Sequence, residues 1–102
     1  MLIHVTSARH LRDYQFEVVF SDHRHGIADL RDSLEGPVFE PLHDPGFLAR
    51  GVLDHETGTL VWPNGADLAP EYLYFLAFRD DRDLADLFQE WGYRQREPAT
   101  SR

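Results

Sequence analysis

The most constraining feature of this sequence is a short segment in which aromatic and branched side chains alternate with other residues. It reads YQFEVVF and places Tyr14, Phe16, Val18 and Phe20 at every second position. A period of two over this length is typical of a β-strand with one buried face. The segment therefore predicts a strand that contributes one row of side chains to a core.

Further strands are predicted on both sides of this segment. The residues IHVTSARHL precede it and GIADL follows it, so the first third of the chain predicts an antiparallel meander. The later residues VLDHETGTLVW predict a second hairpin that turns near Gly58. Together these segments predict one small antiparallel sheet of four or five strands.

Two helices are predicted after the second hairpin. The first begins at Pro70, because proline suits the first helical position and an acidic residue follows it. The second is amphipathic and covers about residues 80–92, where Leu84, Leu87 and Trp91 recur at helical spacing. The predicted fold class is therefore α+β.

The length of the chain limits its organisation. A chain of 102 residues has room for one core. We expect a single α+β domain over residues 1–93 and a frayed tail over residues 94–102. Between Gly36 and Gly51, repeated prolines and glycines predict a connector with short pieces of structure only.

Composition excludes several chemistries. The chain has no cysteine, and all ten of its basic residues are arginine, so thiol nucleophiles, thiolate metal sites and lysine Schiff bases are absent. No nucleophile motif or glycine-rich phosphate loop occurs, so we expect no cofactor and no catalytic residues. The net charge of −8 disfavours binding to nucleic acid. No apolar run could span a membrane, and we expect a cytoplasmic protein.

One stretch of the sequence resembles a known family. The residues GTLVWPNGADLAPEYLY, taken with DYQFEVVFSD and GIADL, resemble the bacterial domain-of-unknown-function family 2442 (DUF2442) over about residues 5–74. The resemblance implies a compact α+β domain on a small antiparallel sheet, without an established activity. It also implies two regulatory contexts, since some members resemble toxin–antitoxin pairs in genetic arrangement and some carry an added C-terminal helix-turn-helix. The segment after Tyr74 predicts one amphipathic helix and a polar tail, too little for an independent helix-turn-helix.

The corner within that stretch has two interpretations. In the first, a turn leads into a helix, and Asp67 accepts hydrogen bonds from the free amides at the helix start. In the second, Asp67 and Glu71 lie four residues apart on one helix face and bind a hard cation or perform acid–base chemistry. The corner consists of Trp62, Pro63, Asn64, Gly65, Asp67, Pro70 and Glu71.

The histidines suggest a metal site or a set of solvated turn residues. His23 and His25 would point to the same side if both lay on a strand, and they are the weak metal candidates together with Asp67 and Glu71. They lie in SDHRHG, where the family resemblance implies a simple Asp-Gly turn. The six histidines are His4, His10, His23, His25, His43 and His55.

Aromatic residues are concentrated in the C-terminal third, where Phe88, Trp91 and Tyr93 are the candidate partner-binding residues. They would either cover the sheet or form an apolar interface.

Three hypotheses follow from these patterns. The leading one is a noncatalytic protein-interaction or regulatory module, an antitoxin-like partner that binds another protein or a second copy of itself. The second is a small metal- or ligand-binding protein, with hydrolysis included, that uses Asp67, Glu71 and nearby histidines. The third is a DNA-binding regulator.

Overall fold

A computed structural model describes residues 2–93, so the predicted frayed tail at 94–102 lies outside the described residues. Within residues 2–93 the strands form two antiparallel sheets of three, with strand orders β1-β2-β3 and β4-β5-β6. The predicted α+β class is confirmed, whereas the prediction of four or five strands in one sheet is wrong. The strands are β1 (Val5–Arg12), β2 (Gln15–Phe20), β3 (His25–Asp29), β4 (Val52–Asp54), β5 (Thr59–Val61) and β6 (Asp67–Leu68).

Strand β2 has the predicted single buried face. Phe16, Val18 and Phe20 are at most 1% exposed, while the alternate residues of the strand are half-buried. β2 is the central strand of the first sheet and pairs with both β1 and β3. Its inner row of side chains therefore anchors the core.

The two sheets remain separate because of the geometry where they meet. The Val5 amide donates to the Gly58 carbonyl (2.8 Å), which lies in the turn between β4 and β5. The pairing register of β1 shifts between Val5 and Ser7, as it does at a β-bulge. The β4–β5 turn thus meets the start of β1, and the contact does not continue as a ladder of main-chain hydrogen bonds between the two sheets.

The connector between β3 and β4 contains the short helical pieces that its prolines predict. A 3₁₀ turn covers Glu40–His43, and helix α1 covers Pro45–Leu48. The Asp44 side chain caps α1 by accepting a hydrogen bond from the Phe47 amide (3.0 Å). Leu42 and Leu48, both at most 2% exposed, tie the connector to the core.

Helix α2 (Pro70–Phe78) begins at Pro70, as predicted. It packs closely over β3 at Gly26, where an added Cβ would lie 2.9 Å from the Phe78 ring. The helix predicted over 80–92 is a 3₁₀ turn, Arg82–Leu84, followed by α3 (Ala85–Trp91), which ends at Gly92 with φ +87°. In the described part of the chain, none of the helices combines the length and apolarity that crossing a bilayer requires.

Candidate functional site

The Trp62–Gly65 corner is a closed turn that is bound to the connector. The Gly65 amide donates to the Trp62 carbonyl (3.0 Å), and Gly65 has φ +90°. The Trp62 ring is 3% exposed, and its Nε1–H donates to the Leu48 carbonyl (2.9 Å). The same ring meets Phe16 of the first sheet edge-on, with centroids 5.9 Å apart. Trp62 therefore joins the second sheet to both the connector and the first sheet.

Asn64 makes two hydrogen bonds that account for its place in the corner. Its Oδ1 accepts from the Ala66 amide (3.1 Å), which shapes the turn. Its Nδ2 donates to the Val38 carbonyl (2.9 Å), 26 residues earlier in the chain. Neither an aliphatic residue nor a carboxylate can supply both bonds.

The two carboxylates of the corner do not have the arrangement that either sequence interpretation requires. Asp67 is exposed in β6 and pairs with Val61, so the chain is still extended three residues before the helix. The N-cap of α2 is Ala69, which makes no side-chain cap bond. The prediction that Asp67 caps the helix is therefore wrong. Glu71 lies in the first turn of α2, so the two carboxylates lie on different elements and do not share one helix face.

The histidines are distributed over turns and strand ends. His23 lies in the β2–β3 turn with φ +73°, while His25 begins β3, so the two do not lie together on a strand. The His43 Nε2–H donates to the Leu34 carbonyl (2.8 Å), which leaves Nδ1 to accept from the Tyr14 hydroxyl (3.0 Å). Across residues 2–93, no three His, Asp or Glu side chains are grouped as metal ligands.

The aromatic residues of the C-terminal third form a continuous cluster. Phe88 is fully buried, so its side chain belongs to the core and offers no surface to a partner, contrary to its selection as a partner-binding candidate. Trp91 and Tyr93 are half-buried. The Tyr93 ring lies 5.3 Å from that of Tyr72 and 5.4 Å from that of Phe75. Burial raises the pKa of the Tyr93 phenol above its ordinary value, and the charge of Glu71 adds to the shift.

Tyr74 links this cluster to the turn between β2 and β3. It is 1% exposed, and its hydroxyl donates to Asp22 Oδ2 (2.7 Å). Burial, and secondly the bond and charge of Asp22, raise the pKa of Tyr74 to about 12. Arg24 lies beside Asp22 and also reaches Asp81 Oδ2, 3.4 Å from its Nη1. The unusual SDHRHG turn is thus tied to α2 and to the start of the last helical segment.

A groove along β3 is a concave surface that sequence reasoning did not find. It has a volume of about 520 Å³, which is within the usual range for ligand sites. We call it the acidic groove, because four carboxylates and two guanidiniums line it and leave a formal charge of −2. Its lining residues are Ile27, Asp29, Arg31, Asp32, Leu76, Ala77, Phe78, Arg79, Asp80 and Asp81. The run of acids near residue 80 signalled its charge, but its second wall comes from residues about 50 positions earlier.

The fold and the corner define a small α+β domain with two three-stranded antiparallel sheets. The model of the family described as "Protein of unknown function (DUF2442)" matches residues 5–79, and the chain belongs to this family. The family resemblance that the corner motif suggested is thereby confirmed.

A crystal structure from Nitrosomonas europaea ATCC 19718, described as that of a putative DNA binding protein, has the same fold with a TM-score of 0.70. The two sequences are 18% identical, and the match covers 92% of this chain. This chain spans 64% of the length of that protein. A comparison with curated proteins gives no significant match.

Proposed function

We propose that this domain is a noncatalytic protein-interaction module that binds a positively charged segment of a partner protein in the acidic groove. A regulatory or antitoxin-like role, as the family resemblance implies, is the biological setting in which such a module would act. The observation that carries the proposal is the combination of apolar side chains with a lining of net negative charge in one concave surface.

The groove has the composition of a docking surface. Ile27 is 49% exposed, and the half-buried Ala77 and Phe78 add apolar surface to the same lining. Asp32 and Asp80 are exposed, and within residues 2–93 neither carboxylate is bonded to another side chain. Their charges are therefore available to a basic partner, whose long-range attraction the net charge of −8 would strengthen.

A peptide-display selection on the purified domain tests this proposal. We expect the selected peptides to be enriched in arginine and lysine, and the double variant Asp32→Asn/Asp80→Asn to bind them several-fold more weakly. The matched control is Glu40→Gln/Glu56→Gln, which removes the same charge from exposed positions that do not line the groove. Equal weakening by both double variants would mean that only the overall charge attracts the peptides, and the groove would lose its role.

DNA binding is the second candidate, because the Nitrosomonas protein with this fold is described as a putative DNA binding protein. Fluorescence anisotropy with duplex DNA from the gene's own upstream region, measured between about 50 and 200 mM salt, tests it. Sequence-specific binding at the higher salt concentration would favour this candidate over the interaction module. Equal or absent binding to upstream and unrelated duplexes would remove it.

A further inference from the structure

β3 is an edge strand whose outer main-chain groups are open. In the first sheet β3 pairs with β2 alone. The Phe20 amide donates to the Arg24 carbonyl at one end of the ladder, and the Leu30 amide donates to the Tyr14 carbonyl at the other. Both ends are therefore hydrogen-bonded pairs, and counting inward from either end gives the same bonded positions. Antiparallel pairs alternate between bonded and non-bonded positions.

It follows that three residues of β3 direct their N–H and C=O groups away from β2. These are His25, Ile27 and Asp29, which occupy the non-bonded positions opposite Val19, Glu17 and Gln15. Within residues 2–93, no further main-chain hydrogen bond reaches these groups. Ile27 and Asp29 also line the acidic groove, so the open edge and the groove are one surface.

We propose that the partner segment binds as an added β-strand along the free edge of β3, with basic side chains at alternate positions facing the groove. This inference rests on the proposed function, because it specifies how the partner of the acidic groove is held. Main-chain bonds to an exposed edge supply affinity in such complexes, and pockets for alternate side chains supply specificity. The edge itself carries neither proline nor lysine, two usual devices that prevent strand addition, and its one carboxylate, Asp29, would attract a basic segment.

Charge decides between a basic segment and a second copy of the chain. Two copies that paired through β3 would bring two grooves of formal charge −2 together, each on a chain of net charge −8. A segment with arginine at every second residue instead neutralises Asp32 and Asp80 while its main chain remains free to pair.

Two synthetic peptides of equal charge separate strand addition from simple charge attraction. The probes are acetyl-Arg-Val-Arg-Val-Arg-Val-amide and acetyl-Arg-Pro-Arg-Pro-Arg-Pro-amide, measured by calorimetry against the purified domain. Proline lacks the amide donor and does not fit a paired strand. We expect the valine peptide to bind at least about tenfold more tightly than the proline peptide, because only the valine peptide can form several main-chain hydrogen bonds with β3.

Hydrogen exchange of single amides supplies the second measurement. In the free domain we expect fast exchange at Ile27 and Asp29 and slow exchange at Gly26 and Ala28, whose amides face β2. The valine peptide should slow exchange at Ile27 and Asp29. The variant Ile27→Pro removes one outward amide without breaking the ladder, so it should fold and lose affinity for this peptide.

Each remaining outcome counts against a specific statement. Equal affinity for both arginine peptides, with unchanged exchange at Ile27, would overturn strand addition and leave the proposed function in place. Binding of neither peptide would overturn both. Equal binding of acetyl-Glu-Val-Glu-Val-Glu-Val-amide would remove the preference for a basic segment. Concentration-dependent protection of Ile27 without peptide, with dimers in sedimentation, would assign the edge to a second copy of the chain.

Discussion

Replacement of Gly51 by alanine tests whether the Trp62 ring is fixed in place from several sides. Gly51 lies directly before β4, and an ideal Cβ on it would stand 2.7 Å from Cε2 of Trp62 and 2.8 Å from Nε1. No Cβ tolerates such a distance, so either the ring or the backbone must move. The ring is bound to the Leu48 carbonyl on one side and packed against Phe16 on another, so movement breaks one of these contacts.

The expected cost combines two effects of opposite sign. Overpacking of a well-packed site costs about 1–3 kcal/mol. Alanine also lowers the conformational entropy of the unfolded chain, which stabilises the folded state by about 0.4–1 kcal/mol. We therefore expect Gly51→Ala to lower the free energy of unfolding by about 1–2 kcal/mol, and the Tm by about 4–8 °C for each kcal/mol.

Urea denaturation followed by tryptophan fluorescence measures this free energy. The control is Gly46→Ala in α1, where the nearest atom to an added Cβ is Asp44 Oδ2 at 3.4 Å, close to ordinary contact. This control should be neutral or slightly stabilising, because alanine favours a helix. In a Trp62→Phe background the smaller ring should reduce the cost of Gly51→Ala. Equal costs in both backgrounds would show that the clash with Trp62 is not the cause.

The other predictions concern the corner and the buried tyrosine. Asn64→Ala should lower the free energy of unfolding by about 1–3 kcal/mol, because it removes two hydrogen bonds, and a loss near zero in urea denaturation would contradict the role given to them. Asn64→Asp should also destabilise, since its carboxylate would face the Val38 carbonyl; stability equal to the wild type would refute this. In ultraviolet titration with Tyr74→Phe as reference, Tyr74 should ionise near pH 12, and Asp22→Asn should lower that pKa. The folded pKa of Tyr74 exceeds the ordinary value of 10.0, so the neutral phenol makes its full contribution to the free energy of unfolding below pH 10. About 2–3 kcal/mol of this free energy is lost as the pH rises toward 12. An unchanged stability difference between wild type and Tyr74→Phe over that range would contradict the shift.

Local patterns predicted the individual elements well. The alternation of YQFEVVF identified β2, and Pro70 marked the start of α2. The turn at Asn64 was also predicted from its residue types, because proline, asparagine and glycine each favour a backbone conformation of the turn. These predictions succeeded because the determining interactions lie within a few residues.

Features that depend on distant contacts could not be predicted in this way. The division into two sheets depends on how a turn at Gly58 meets the irregular end of β1. Asp67 has the residue type of a helix cap, but pairing with Val61 keeps its backbone extended. Sheet pairing therefore outweighed the preference of aspartate for a capping position. The acidic groove requires β3 and the end of α2 to lie side by side, which no local pattern reveals.

The bonds from Trp62 to Leu48 and from Asn64 to Val38 give the corner a role that covalent cross-links have in other small domains. They close loops of 14 and 26 residues in a chain that has no cysteine. Unlike a disulfide, these two hydrogen bonds are absent in the unfolded state, so they leave the entropy of the unfolded chain unchanged. Their whole contribution to stability therefore lies in the folded state, where they hold the connector, whose Leu42 and Leu48 are buried in the core, against the second sheet.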